Sequence, residues 1–168
     1  MVAFSSVRVG GNKIDAAISN FVRKKYNLII GEQTAEQIKI KIGSAQPLKK
    51  ELKLEVSGSN TISGLPESLM VSSSDITQAV KPPLLEIVNA VKDVLQKTPP
   101  ELASDVMDKG IIITGGGALL KHIDSLLTKI TGVPCEVANN PLECVVKGSG
   151  IAVENLEAFK KSVLWAKE

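Results

Sequence analysis

Apolar and polar residues follow two different periods along the chain, one typical of strands and the other of helices. The stretch SSVRVGG predicts a short strand that ends at Gly10 and Gly11, and a helical period follows it. Thr34 and Gln37 fit a capping box, which predicts the start of a second, shorter helix. The N-terminal part of the chain is therefore expected to form a strand and two helices.

The middle of the chain changes its pattern twice. Residues 44–73 alternate or are rich in β-branched residues, and Gly, Ser and Pro separate the two runs LKLEVSG and LPESLMVSS, so a small strand-containing unit is predicted there. From Ser74 the helical period returns, but Pro82 and Pro83 interrupt it and predict a kink or a restart. Thr98 and the prolines after it predict a further helix towards Met107.

The stretch GIIITGGGALLKHIDSLL, residues 110–127, predicts a buried strand, a glycine turn and a helix in direct succession. Gly115, Gly116 and Gly117 form the turn, which would bring bare backbone and a helix N-terminus to one point. Such a point suits an anion or a flat ligand that lies against the main chain. The segment VPCEVA then predicts another strand, and a helix, a turn and a helix close the chain. The pattern as a whole predicts an α/β lobe with an inserted β-containing lobe.

Composition narrows the class of protein. With 168 residues and 43% hydrophobic content, the chain can bury one core or two small lobes. Lys and Arg number 20 against 18 acidic residues, and aromatic residues are 3%, which argues against a nucleic-acid surface. The sequence has no apolar run long enough for a membrane span and no signal-peptide pattern, so a cytoplasmic protein is expected. Cys135 and Cys144 are expected to be buried thiols.

Local motifs leave the chemistry of the glycine turn open. No Lys-Ser or Lys-Thr follows the glycines, so the turn is not a Walker loop, and Leu120 stands where the dinucleotide fingerprint needs a small residue. The turn itself fits ligand contact and tight packing equally well. His122 is expected to be a solvent-facing helix residue, and the acidic residues show no metal-ligand spacing. Neither a catalytic residue nor a metal site is predicted.

Three segments together resemble one protein family. YNLIIGEQTAEQIKIKIGSA, KTPPELASDVMDKGIIITGGGALL and TGVPCEVANNPLECVVKGSGIAVEN are similar, in the family's order, to the C-terminal half of MreB, the bacterial actin-like protein that determines rod shape. The resemblance covers nearly the whole chain. It implies one lobe of the actin and Hsp70 (ribonuclease H-like) ATPase fold, an α/β lobe that carries an inserted smaller α+β sublobe.

The resemblance also implies a nucleotide site. In the family the turn that matches Gly115–Gly117 is the adenosine motif, and Leu120 is expected to be a further nucleotide-binding residue. Glu36 and Lys39 match the nucleotide-facing positions of the helix across the cleft. Three residues apart, their side chains lie on one helix face and could reach the ribose, the base edge or a phosphate. Without the resemblance, a plain surface ion pair between Glu36 and Lys39 would be the simpler interpretation.

The resemblance further implies a division of the chain. Residues 1–13 and 79–148 would form the larger sublobe, and residues 14–78 would be the inserted smaller one. Residues 149–168 would form an amphipathic helix that in the family returns to the first lobe, with an apolar stripe of Ala152, Leu156, Phe159 and Val163. Pro82 and Pro83 depart from the family, which keeps an unbroken helix there.

The family's remaining parts set the expected function. Its two phosphate hairpins and its water-positioning acidic residue precede the matched segments, so the chain is expected to be a fragment or truncated paralogue that binds ATP or ADP weakly and does not hydrolyse ATP alone. In the complete family site Mg²⁺ accompanies the nucleotide. The implied partners are further copies or full-length filaments, at the inner face of the cell membrane. The alternative is a non-catalytic docking module for filaments or their membrane adaptor RodZ.

Overall fold

The computed structural model describes residues 2–157 of the chain. The described residues form six helices and five strands, in the order α1 (Gly11–Tyr26), β1 (Leu28–Ile29), α2 (Glu32–Ile42), β2 (Lys53–Asn60), β3 (Pro66–Ser72), α3 (Ser73–Lys97), α4 (Pro100–Lys109), β4 (Ile111–Ile113), α5 (Ile123–Thr131), β5 (Cys135–Val137) and α6 (Cys144–Glu154). A short 3-10 helix, Gly116–Leu119, lies between β4 and α5.

An antiparallel sheet in the order β1-β2-β3 supports the first three helices. β2 and β3 form a hairpin in which Val56 faces Leu69, and β1 adds two residues at the other edge of β2. Helix α1 packs against both α2 and α3. The largest fully buried side chains of this region are Ile18, Val22, Leu28, Ile38, Val71, Ile76 and Val80. The predicted strand unit within residues 44–73 is confirmed as this hairpin.

A second, parallel sheet of two strands carries the glycine turn. β4 pairs with β5 so that Ile111 lies beside Cys135, and α5 covers one face of the pair. Ile112 points to the other face and is 60% exposed. The prediction of a buried strand is therefore wrong: Ile112 is exposed, because alternate residues of a strand face opposite sides and only one side is covered here, and Ile111 and Ile113 are half-buried.

The predicted N-terminal strand is wrong for this structure. Residues 2–9 have no regular secondary structure, and Phe4 is 71% exposed. A strand needs a neighbouring strand to accept its backbone hydrogen bonds, and none of the described strands pairs with this segment. The alternating sequence is therefore insufficient by itself.

Helix α3 runs without interruption through Pro82 and Pro83, so the predicted restart is wrong. A proline inside a helix costs about 3 kcal/mol because it removes a backbone hydrogen bond and crowds the preceding turn. Apolar side chains on both sides of the prolines, including Val80 and Leu84, are buried in the core and offset that cost. Packing therefore overrides the local preference of the prolines.

Two predicted helix caps are displaced. Helix α2 begins at Glu32 with Gly31 as its N-cap, so Thr34 and Gln37 lie inside the helix. Thr98 is the C-cap of α3, and Pro99 is the N-cap of α4. Both helices exist where the sequence predicts them, but their first residues differ.

At the C-terminal end, α6 is a single helix that runs from Cys144 through Gly148 and Gly150 to Glu154, so the predicted start of a separate last helix at residue 149 is wrong. Ala152 is half-buried and Leu156 is exposed. Phe159 and Val163, the other members of the predicted apolar stripe, lie outside the described residues. None of the helices within residues 2–157 combines the length and the apolar content needed to cross a membrane.

A buried carboxylate ties the end of α1 to the start of α3. Asp75 is 7% exposed and accepts hydrogen bonds from the Lys25 ammonium and from the Tyr26 hydroxyl. Burial by itself would raise the pKa of Asp75, but the hydrogen bonds from Lys25 and Tyr26 outweigh it and hold that pKa below its usual value. The folded state therefore prefers the ionised form of Asp75.

Replacing this carboxylate should produce a pH-dependent loss of stability. The stabilisation from a lowered carboxyl pKa is present above the unfolded-state pKa and disappears as the pH falls through the folded-state pKa. Asp75→Asn is expected to lower the free energy of unfolding at pH 7 by about 1–3 kcal/mol. Below about pH 4, near the usual carboxyl pKa, the free energies of unfolding of Asp75→Asn and the unmodified chain should become more similar.

Urea denaturation at pH 7 and at successively lower pH values measures this difference. Asp93→Asn is the matched control, because Asp93 is exposed and pairs with Lys97 along one helix. A difference between Asp75→Asn and the unmodified chain that does not change with pH would contradict the assigned role of the charge.

Candidate functional site

Three segments that are distant in sequence surround one cavity of about 580 Å³. The start of α1, the middle of α2 and the 3-10 turn each contribute one wall, and Leu142 closes the cavity beside the turn. Among the described residues, the lining consists of Gly10, Gly11, Asn12, Ile14, Glu36, Lys39, Ile40, Gly116, Gly117, Leu119, Leu120 and Leu142. Its size is that of a small-molecule site.

The first residue of the glycine turn, Gly115, has a backbone conformation that favours glycine. Gly115 adopts φ +81°, which other residues rarely tolerate, and its N–H donates to the carbonyl of Pro141 at 2.8 Å. Ala118 donates back to the carbonyl of Gly115 at 3.1 Å and is itself buried. The turn is therefore held between the end of β4 and the segment before α6, with Gly116 and Gly117 in the cavity wall.

The predicted direct passage from the glycines into a helix is wrong. The 3-10 helix ends at Leu119, and α5 begins only at Ile123. His122 is the N-cap of α5 in the left-handed conformation, so it precedes the helix, although it is exposed as expected. Because no α-helix starts at the glycines, the turn offers bare backbone to a ligand rather than a helix N-terminus to an anion.

Lys39 is held by a residue that the sequence did not single out. Its ammonium Nζ lies 2.8 Å from Oδ2 of Asp15 on α1, and the two side chains are 17% and 15% exposed. Glu36 lies one helical turn earlier on α2, is exposed, and makes no ion pair within the described residues. The surface ion pair between Glu36 and Lys39 that we considered as the simpler interpretation is absent from the described part of the chain.

The structure brings five of the six predicted site residues to one place. Glu36, Lys39, Gly116, Gly117 and Leu120 all line the cavity, whereas Gly115 only shapes the turn beside it. The sequence did not identify the contributions of the start of α1 and of the segment after β5. Gly10 and Gly11 at the start of α1 were the available signal for the first, and no local signal marks Leu142.

Among the described residues, no histidine and no cysteine lines the cavity. Residues 2–157 contain no cluster of three or more His, Cys, Asp or Glu side chains that could hold a metal ion. Cys135 is buried as predicted, whereas Cys144 is only half-buried, and both thiols are free. The cavity offers one ammonium, one carboxylate and a glycine backbone, which suit binding by hydrogen bonds more than covalent chemistry.

Comparison with known proteins identifies the class of this fold and the family to which the chain belongs. The described structure is one α/β lobe of the actin-like fold. The crystal structure of MreB5 of Spiroplasma citri bound to ADP superposes with a TM-score of 0.90 at 35% identity, covering 95% of this chain and 49% of that one. The sequence model of the MreB/Mbl protein family matches residues 1–161. The chain belongs to the MreB/Mbl family.

Two relatives illustrate the extent of the similarity. The cell shape-determining protein Mbl of Bacillus cereus is 45% identical over 98% of this chain and 49% of its own length. The cell shape-determining protein MreB of Escherichia coli is 47% identical over 94% of this chain and 45% of its own length. The chain thus spans about half the length of these relatives.

Proposed function

We propose that this chain is the adenosine-binding lobe of an actin-like, cell shape-determining protein and corresponds to the C-terminal half of MreB. The observation that carries the proposal is the cavity in which Glu36 and Lys39 of α2 face the backbone of Gly116 and Gly117. The ligand is the adenosine part of ATP or ADP. The ADP named with the similar MreB5 structure supports this choice.

The shape of the cavity suits a nucleoside. Two adjacent glycines leave a wall without side chains, against which a flat base can lie at van der Waals distance. The apolar side chains of Ile40, Leu119 and Leu142 line the same cavity and can cover the faces of a base. Lys39 and Glu36 supply one hydrogen-bond donor group and one acceptor group for the polar edges of the nucleoside.

The residues that line the cavity offer few groups that could bind the phosphates of a nucleotide. Lys39 is the only lysine or arginine among the described residues that line the cavity, and its charge is already paired with Asp15. The 168-residue sequence contains neither an Asp-Leu-Gly nor an Asp-Ile-Gly-Gly-Gly-Thr hairpin. We therefore propose that the phosphates, and the Mg²⁺ that accompanies them in the complete family site, are bound mainly by groups other than the residues that line this cavity.

Weak and phosphate-independent binding is the expected result for the 168-residue chain. Calorimetric titration with ATP and with adenosine should give similar affinities for the two ligands. ATP turnover should not exceed background, because phosphoryl transfer needs neutralised phosphates and a positioned water. Tight, Mg²⁺-dependent binding of ATP would show that the chain holds the phosphates by other means and would refute this assignment.

The domain division remains part of the proposal. Residues 1–13 and 79–148 would form the larger sublobe with the adenosine motif and residues 14–78 the inserted sublobe, and α6 crosses the expected boundary at residue 149. The cavity then lies where the two sublobes meet, because α2 belongs to one of them and the glycine turn to the other.

We also propose self-association at the inner face of the cell membrane, through contacts that involve both lobes of the complete protein. A single lobe offers only part of each contact surface, so the 168-residue chain should not polymerise when ATP is added. Ultracentrifugal pelleting with and without ATP measures this, and ATP-dependent pelleting of the pure chain would be the opposite result. The docking-module alternative and the adaptor RodZ stay predictions, because no feature of residues 2–157 favours them.

A further inference from the structure

The Asp15–Lys39 ion pair joins the first turns of α1 to α2 beside the cavity. Lys39 Nζ donates to Asp15 Oδ2 at 2.8 Å, and both side chains are mostly removed from solvent. Exposed ion pairs contribute little because water screens them. A pair that is more than four-fifths buried experiences stronger electrostatic interactions, so the charge of Asp15 acts strongly on Lys39.

Because Gly11 has no side chain, it leaves room for the Lys39 ammonium in the cavity wall. A Cβ atom built at Gly11 would lie 3.2 Å from Lys39 Nζ, which is close for any side chain. Gly11 and Lys39 both line the main cavity, whereas Asp15 lines a neighbouring cavity of about 420 Å³ between α1 and α2. The Asp15 carboxylate therefore pairs with the Lys39 ammonium without lining the main cavity itself.

The second oxygen of Asp15 indicates what the carboxylate contributes. Oδ1 is buried and accepts no hydrogen bond from any described residue. Burying a polar oxygen without a partner is unfavourable for the fold. The ion pair of Oδ2 with Lys39 is therefore the interaction that explains an aspartate at this position.

We infer that Asp15 is a positioning residue that fixes the Lys39 ammonium in the cavity wall and cancels its charge, so that the wall selects the uncharged nucleoside over the phosphates. One of the three ammonium donors is used by Asp15, and the other two remain available for neutral oxygen or nitrogen acceptors. Without the carboxylate, Lys39 presents a full positive charge and attracts phosphate. The inference rests on the proposed nucleotide site and assigns its selectivity.

Asp15→Asn tests the selectivity directly. The ratio of ADP affinity to adenosine affinity should rise by about two- to fivefold, since the removed charge acts on the phosphates through a partly solvated cavity. Asp15→Glu keeps the charge and should keep the original ratio. Asp105→Asn removes a charge from an exposed residue of α4 and should also leave the ratio unchanged.

A second measurement needs no nucleotide. Acetic anhydride labels free amines, and mass spectrometry reports the labelling of Lys39 relative to Lys109, whose side chain is 80% exposed. Lys39 should be labelled slowly in the unmodified chain and several-fold faster in Asp15→Asn. Circular dichroism establishes that the variants are folded.

The two measurements separate the inference from the proposed function. If the unmodified chain binds neither adenosine nor ADP, the nucleotide site is refuted, and the assigned selectivity is refuted with it. If the unmodified chain binds both ligands, an unchanged affinity ratio in Asp15→Asn overturns the role of Asp15 and leaves the site intact. Equal labelling of Lys39 in the folded Asp15→Asn and unmodified chains overturns the positioning role in either case.

Discussion

Gly116→Val is expected to abolish binding of adenosine and ADP while leaving the fold intact. Gly116 lies in the cavity wall, and a Cβ atom built there would meet Leu142 Cδ2 at 3.3 Å. Because Leu142 lines the same cavity, the valine methyl groups would fill space that the base needs. The backbone of Gly116 is not in the left-handed region, so valine should cause little strain there.

Calorimetry with adenosine and ADP measures the effect of this variant. Lys39→Ala should weaken binding without abolishing it, because it removes one hydrogen-bonding group and leaves the bare wall. Gly148→Val is the matched control, since Gly148 lies on α6, outside the cavity, with no atom near its added Cβ. Unchanged adenosine binding by a folded Gly116→Val protein would exclude the glycine turn from the site.

Ile18→Ala should cause a large loss of stability. Ile18 on α1 is completely buried in the core that α1 forms with its neighbouring helices. Removing these buried methyl and methylene groups costs their transfer free energy and leaves a cavity, for a total of about 2–5 kcal/mol. That loss is a large part of the stability of a domain of this size.

Ile62→Ala is the control for this truncation. Ile62 lies in the loop of the β2–β3 hairpin and is 81% exposed, so the same chemical change should alter the free energy of unfolding by no more than about 0.5 kcal/mol. Urea denaturation monitored by circular dichroism gives both values. Similar losses in the two variants would mean that the helices do not pack around Ile18 as described.

The sequence predicted the elements that carry a strong period of their own. The β2–β3 hairpin has alternating strands and a loop that contains Ser63 and Gly64, and α1 has a regular apolar face, so both could be assigned without knowledge of their neighbours. Residues 2–9 also alternate but lack a partner strand in the structure. Strand β1 has two residues and is defined only by its pairing with β2, which no local pattern could predict.

The candidate site was predictable only in part, for a similar reason. The glycine turn is conspicuous in the sequence, but its proximity to Lys39 arises from tertiary structure and was expected only through the family resemblance. Helical spacing suggested Glu36 as the partner of Lys39, whereas the observed partner is Asp15 on another helix. Contacts between helices depend on how the helices pack, which the spacing within one helix does not determine.

The cavity between α2 and the glycine turn is the proposed nucleoside site. Titration of the ¹⁵N-labelled chain with adenosine, followed by amide NMR, tests it most directly. We expect the largest shifts at Gly116, Gly117 and Lys39, with little change at Leu85 and Lys129, which line a separate groove between α3 and α5. Saturable shifts centred on that groove, or none anywhere at millimolar adenosine, would contradict the account.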